Sequence, residues 1–158
     1  MQLQVNRVYI TTMLADQSSL AIMQQYLSRQ HVFSLFTSFQ SDVWPAICFY
    51  TFNSQTMSLY FLTETSTYHG QLMLKNPFVA GTICCQNKTV ANIQGIQFIG
   101  KVDSLTGKEE KQARQDYNRR FPVAMAASIP IWQLSLQQIK MVNNKLGFGT
   151  KLVWHCDS

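Results

Sequence analysis

The strand-forming run Leu59-Tyr-Phe-Leu62 passes without a break into Thr63-Glu-Thr-Ser-Thr67, and then into a helical pattern that Asn76-Pro77 stops. A strand that runs straight into a hydroxyl-rich helix start is a natural anion site. The first backbone amides of a helix lack partners, and its N-terminus carries the positive end of the dipole. Thr63, Ser66 and Thr67 add hydroxyl donors, and His69 adds a ring N–H or a positive charge. Proline disfavours helical backbone in the residue before it and has no amide to donate, so the helix ends at Asn76.

Around this junction the chain reads as alternating strands and helices. From Ser18 or Ser19 as cap, Leu20, Met23, Tyr26 and Leu27 recur at helical spacing to about Gln30, predicting an amphipathic helix across a sheet. Runs rich in aromatic and β-branched residues at 31–39, 43–52 and 56–62 are separated by short polar breaks, as in antiparallel hairpins. Strands are expected again at 78–85 and 90–102, where Gly95 and Gly100 mark a bulge or a close approach. Thr106-Gly-Lys-Glu109 has the capping-box pattern, so a helix should run from there to Arg120, before Phe121-Pro122. Residues 131–136 alternate as a strand, and 140–156 form a closing hairpin with Gly147-Phe-Gly149 near its turn. Six or so antiparallel strands with interspersed helices define an α+β chain whose sheet must close or pack to hide its edges. The 158 residues fit one domain, with 1–17 as an extension ahead of the first of these elements.

Charged residues make up only 13% of the chain, against about a quarter in an ordinary globular protein. Part of the surface is therefore expected to be covered by a second copy, as a homodimer. The net charge of +5 comes from 13 scattered Lys and Arg, which argues against a nucleic-acid surface. Lys145, Phe148 and Lys151 interleave basic and aromatic residues, but two lysines are too few for much specificity. No apolar run approaches the roughly 18 residues of a membrane span, and the first residues lack an export pattern, so the expected compartment is the cytoplasm. Cys48, Cys84, Cys85 and Cys156 show no metal-ligand spacing and read as buried free thiols, with Cys84 and Cys85 on opposite faces of a strand. His31, His69 and His155 form no zinc pattern, no Ser sits in a Gly-x-Ser-x-Gly elbow, and no carboxylates pair by spacing.

The order Thr63, Thr67, Tyr68, His69, Asn76-Pro77 resembles the phosphate-side motif of the pyridoxamine 5'-phosphate oxidase-like FMN-binding split barrels. In those oxidases a strand-end Thr precedes Ser-Arg-Lys and a later Asn-Pro. Tyr68 falls where they carry Arg, His69 where they carry Lys, and Ile47 where they carry another phosphate-binding Arg. Further blocks, Lys88-Thr-Val-Ala91, Gly95-Ile-Gln-Phe98, Tyr117-Asn-Arg-Arg-Phe-Pro-Val-Ala124 and Leu146-Gly-Phe-Gly149 followed by Trp154, resemble the small bacterial family typified by YhbP, related to the split barrels. Together they span most of the chain.

The resemblance implies a small antiparallel split β-barrel that binds FMN at the interface of a homodimer. It implies that Leu62 and Thr63 line the phosphate and ribityl side, that Thr67, Tyr68 and His69 hold the phosphate, and that Ala46, Ile47 and Cys48 flank the ring. Gln94 and Gly95 fall on the strand that presents a ring-contacting Gln in the oxidases, and Trp154 falls on the C-terminal strands that contribute to the partner's flavin pocket. Trp132 is read the same way, with plain core packing as the alternative for both. Arg119 and Arg120, at a helix C-terminus, can serve structure or replace the missing cationic clamp. The expected function is flavin-dependent oxidation or reduction of a small molecule, which needs no protein nucleophile. The alternatives are a non-catalytic flavin or small-ligand binding protein and, less favoured, a basic nucleic-acid module.

Overall fold

A computed structural model describes residues 12–14 and 16–157, with side chains from Asp16 onward. The elements are β1 (Thr12–Leu14), α1 (Gln17–Arg29), β2 (Val32–Phe39), β3 (Asp42–Asn53), β4 (Ser58–Leu62), α2 (Tyr68–Lys75), β5 (Phe78–Cys84), β6 (Gln94–Ser104), α3 (Gly107–Arg120), β7 (Ile131–Asn143) and β8 (Lys151–His155). Most of the extension expected over 1–17 lies outside the described residues, but Thr12–Leu14 is a strand paired in parallel with β8.

Strands β7, β4, β3, β2, β5 and β6 are hydrogen-bonded in that order, and a β6–β7 pairing closes them into a ring. The fold is the expected α+β antiparallel barrel. Long β7 makes closure possible by dividing one of its edges. Its Ile131–Ser135 half pairs with β4 and its Gln138–Val142 part pairs with β8, while β6 follows the other edge. Because β4 is short, it covers only Tyr50–Asn53 of β3. Among the described residues the preceding stretch of β3, Asp42–Phe49, is paired only with β2.

The interior is aromatic. Phe33 stands edge-on to Phe61 and Tyr50, with ring centroids 5.3 and 5.8 Å apart. Helix α1 packs onto this core because Met23, Tyr26 and Leu27 recur on one face and are buried. Burying a side chain such as Leu27 contributes about 1.5–3 kcal/mol. Two tyrosine hydroxyls fix the helix, Tyr50 donating to the Leu27 carbonyl at 2.7 Å and Tyr26 to the Gln94 carbonyl at 3.0 Å. Helix α3 builds a second, smaller cluster, setting Ala113 and Tyr117 against Tyr60, Leu105 and Ile131.

Several local expectations shift. The cap of α1 is Asp16, whose carboxylate accepts from the Ser19 amide at 2.8 Å and the Ser18 hydroxyl at 2.9 Å, not Ser18 or Ser19. Residues Val90–Asn92 form a 3-10 turn, so β6 begins at Gln94. Strand β7 runs unbroken through the expected gap at 137–139. Thr106 caps α3 by position, but its side chain makes no capping hydrogen bond. Of the cysteines only Cys48 is buried; Cys84, Cys85 and Cys156 are exposed, at or just past the ends of β5 and β8. No helix among the described residues is long and apolar enough to cross a membrane.

The bulge expected on β6 falls between Ile99 and Gly100, where the register with β7 shifts. A Cβ on Gly100 would meet the Ser135 carbonyl oxygen at 2.5 Å, a backbone obstacle that cannot rotate away. Gly100→Ala should therefore destabilise the barrel by roughly 1–3 kcal/mol. A lowered urea midpoint at unchanged slope would show it, and an unshifted midpoint would refute the close approach.

Candidate functional site

At the corner between β4 and α2, Thr63 is held three ways. Its amide donates to the Pro130 carbonyl at 3.2 Å, its carbonyl accepts the Trp132 indole N–H at 3.1 Å, and its hydroxyl lies 2.6 Å from Nε2 of His69. Trp132 is almost fully buried, so a core side chain positions the end of β4. Read as a contributor to a partner's pocket or as core packing, it is core and organises its own chain's corner.

Thr67 caps α2. Its hydroxyl accepts from the Gly70 amide at 3.1 Å, donates to the Glu64 carbonyl at 2.8 Å, and lies 3.3 Å from Nε2 of His69. Gly70 is required here, since a Cβ would collide with the Glu64 carbonyl oxygen. Among the described residues no acceptor reaches the amides of Tyr68 and His69, the first two of the helix. At the other end Asn76 accepts from the Phe78 amide at 3.1 Å and donates to the Ser38 carbonyl at 2.8 Å, tying α2 to β2.

The electrostatics of the corner are not those of a cationic clamp. Burial pushes the His69 imidazole below its ordinary pKa, so the ring is neutral near pH 7. Tyr68 is half exposed, and its ring meets Trp44 edge-on at 5.4 Å. Desolvation, then the Asp42 carboxylate beside it, raises the pKa of the Tyr68 hydroxyl. Lys75 lies at the far end of α2, over the Phe39 ring.

The open stretch of β3 belongs to the same neighbourhood, because the Tyr50–Phe61 pairing sets Thr63 just beyond Phe49. Ala46 is half-buried, and Ile47 projects outward, 78% exposed. The Cys48 thiol faces the core, and burial pushes its pKa up to about 11, so it is no nucleophile. Leu62 ends β4 and packs in the cluster under α3.

The remaining candidates lie elsewhere in the protomer. Gln94 and Gly95 open β6, whose other end adjoins the corner through the Leu105 amide and the Ile131 carbonyl. At about 3.3 Å per residue, some 30 Å of strand separates them from Thr63. They line a recess of about 680 Å³ with Cys84, Cys85 and Lys88. Arg119 and Arg120 line a polar recess with Asn53, Tyr60 and Asp116. Arg119 pairs with Asp116 at 3.6 Å, while Arg120 donates to the Gln30 carbonyl at 2.6 Å and stacks over Tyr50 and Phe121. Neither guanidinium joins the corner. Trp154 lies on β8 and packs partly against the main core. Sequence reasoning passed over Trp44 and Pro130, which carry no pattern of their own and reach the corner only through the fold.

No family model matches the chain. It is 52% identical over 133 residues to a UPF0306 protein of Photorhabdus laumondii, covering 84% of this chain and 93% of that one. The chain belongs to the UPF0306 family. Solved structures share the fold at low identity. A heme binding protein of Mycobacterium smegmatis matches at TM-score 0.71 and 16% identity over 89% of this chain, which spans 60% of that protein's length. An FAD-binding protein of Mesorhizobium loti matches at TM-score 0.65 and 14% identity, with 77% of this chain and 92% of that one covered. A candidate pyridoxamine 5'-phosphate oxidase of Listeria innocua matches at TM-score 0.65 and 12% identity, covering 78% and 98%. The expected split barrel and the expected small bacterial family are both present.

Because the folded pKa of His69 lies below its ordinary 6.5, the unfolded chain binds the proton more readily. The neutral-His69 contribution to stability is complete above that ordinary value and is lost as pH falls through the folded value. Urea midpoints of the wild type should drop below about pH 6.5, and those of His69→Asn should drop less. Parallel curves for the two proteins would show that His69 is not held neutral.

Proposed function

We propose that this chain is a flavin-binding split barrel acting as a homodimer with the flavin at the subunit interface, a flavin-dependent oxidoreductase for a small molecule. The observation that carries this reading is the anchored β4–α2 corner set beside the unpaired edge of β3. The two free amides of α2 and the open main chain of 46–48 are what a nucleotide of this kind needs. FMN is the form the sequence resemblance implies. Thr63, Thr67 and the amides of Tyr68 and His69 would hold its ribityl and phosphate end, and Ala46, Ile47 and Cys48 its ring. The separation of Gln94, Gly95 and Trp154 from the corner is resolved if a second copy brings them, which is the geometry of an interface site.

The surface supports a second copy. The outer faces of β2, β3, β5 and β6 expose Phe36, Val43, Ile47, Phe49, Phe78 and Ile99. Bound flavin would supply hydride or electron transfer, and the protein's part is to bind, orient and exclude water. The cytoplasm is the proposed compartment. A non-catalytic flavin carrier is the second reading, favoured because among the described residues no Lys or Arg side chain bonds to Thr63, Thr67 or His69.

Two measurements test this. Titration with FMN should quench flavin fluorescence, and reduced nicotinamide nucleotide should bleach the bound flavin if the protein is an oxidoreductase; binding without bleaching selects the carrier, and no binding removes both. Ile47→Glu should lower the mass by light scattering from dimer to monomer, because it places a charge on the exposed apolar face. A wild-type monomer would remove the interface site.

A further inference from the structure

We propose that the recess between the end of α3 and the β3–β4 turn binds a small, hydroxyl-bearing organic acid through a single carboxylate. The recess takes this ligand whether or not a flavin occupies the corner.

The recess holds about 490 Å³, the size of a small-molecule site, and its walls are mainly polar. Asn53 and Tyr60 reach it from β3 and β4, and Asp116, Arg119 and Arg120 from α3. Tyr60 is only 7% exposed, and its hydroxyl lies 3.2 Å from the Asn53 side-chain nitrogen. The Asn53 side-chain oxygen is committed to the backbone amides of Gln55 and Thr56, at 3.0 and 3.3 Å. The nitrogen of that side chain must therefore face Tyr60, and it can only donate. The tyrosine oxygen is the acceptor of the pair, and among the described residues its own proton meets no acceptor. Buried hydroxyls place their protons on acceptors, and the recess is the space that this one borders.

Two guanidinium groups supply the charge. Arg120 is held in place, donating to the Gln30 carbonyl and lying over the Tyr50 and Phe121 rings at 5.8 and 5.6 Å. That bond uses one of several N–H donors. Arg119 stands 3.6 Å from Asp116, close enough for attraction but beyond a hydrogen bond. Two arginines against one aspartate leave the lining with a net charge of one. A carboxylate balances that charge, whereas a phosphate monoester, at about −1.5 to −2 near pH 7, overshoots it. Ser54 and Gln55, exposed at the rim, offer donors and acceptors to ligand hydroxyls.

The test is titration of the labelled full chain by NMR, following the Asn53 side-chain amide and the arginine Nε–H groups. The probes are gluconate, its uncharged counterpart glucitol, and inorganic phosphate, at fixed ionic strength. Gluconate should give saturable shifts at about millimolar concentration, with the other two bound more weakly by about tenfold or more. Tyr60→Phe keeps the ring in its packing and should weaken gluconate about tenfold by removing one charge-assisted hydrogen bond. Arg119→Gln should weaken it by a similar factor, and Asp116→Asn should narrow the preference over phosphate. No saturable shift with gluconate, or phosphate or glucitol bound as tightly, would overturn the assignment. So would Tyr60→Phe protein with an unchanged urea midpoint that binds gluconate as the wild type does. Flavin is absent throughout, so neither result bears on the corner.

Discussion

The hydrogen bond from the Trp132 indole to the Thr63 carbonyl joins the two parts of this molecule that have to agree, the closed barrel and its corner. Trp132 belongs to β7, the strand that seals the ring, and is buried with the core. A buried indole N–H without an acceptor is costly, so packing the ring in place commits the end of β4 to one position. The Pro130 carbonyl then receives the Thr63 amide, and the Thr63 hydroxyl meets His69. The local hydroxyl pattern makes a capped helix; the core fixes where that helix starts.

Residue types at the corner were legible because helix capping and the Asn-Pro stop are local rules. Thr67 caps α2, and Asn76 ends it, as their spacing requires. The ring was legible only as a necessity, since alternating strands must hide their edges but do not say which edge meets which. Closure through β7 depends on pairings between residues as distant as Gln94 and Asn143, which no local pattern encodes.

The misreadings have physical reasons as well. Cys84 and Cys85 sit in a run of apolar residues and so read as buried, yet β5 ends at Cys84 and both side chains are exposed. Arg119 and Arg120 were read as serving either structure or the clamp, because adjacent cations at a helix end suit both. In the fold Arg120 donates to the carbonyl of Gln30, the residue that closes α1, so it ties α3 to α1. Periodicity placed Trp132 in a strand but could not tell an inward indole with a carbonyl to satisfy from one offered to another chain.

The division of β7 explains why the corner and the open edge come together. If β4 were as long as β3, it would pair along the whole of that strand and leave nothing exposed. With five residues, β4 ends at Leu62, and the chain turns into α2 while β3 continues for eight residues with one backbone edge unpaired among the described residues. Those residues also carry Val43, Ile47 and Phe49 on their outer face. An unpaired edge and an apolar face are separate liabilities for a free protein, one inviting strand addition and the other association. Their placement on one strand, beside two free helix amides, makes them answerable by one arrangement, a flat polar-edged ligand along the backbone and a second copy over the side chains.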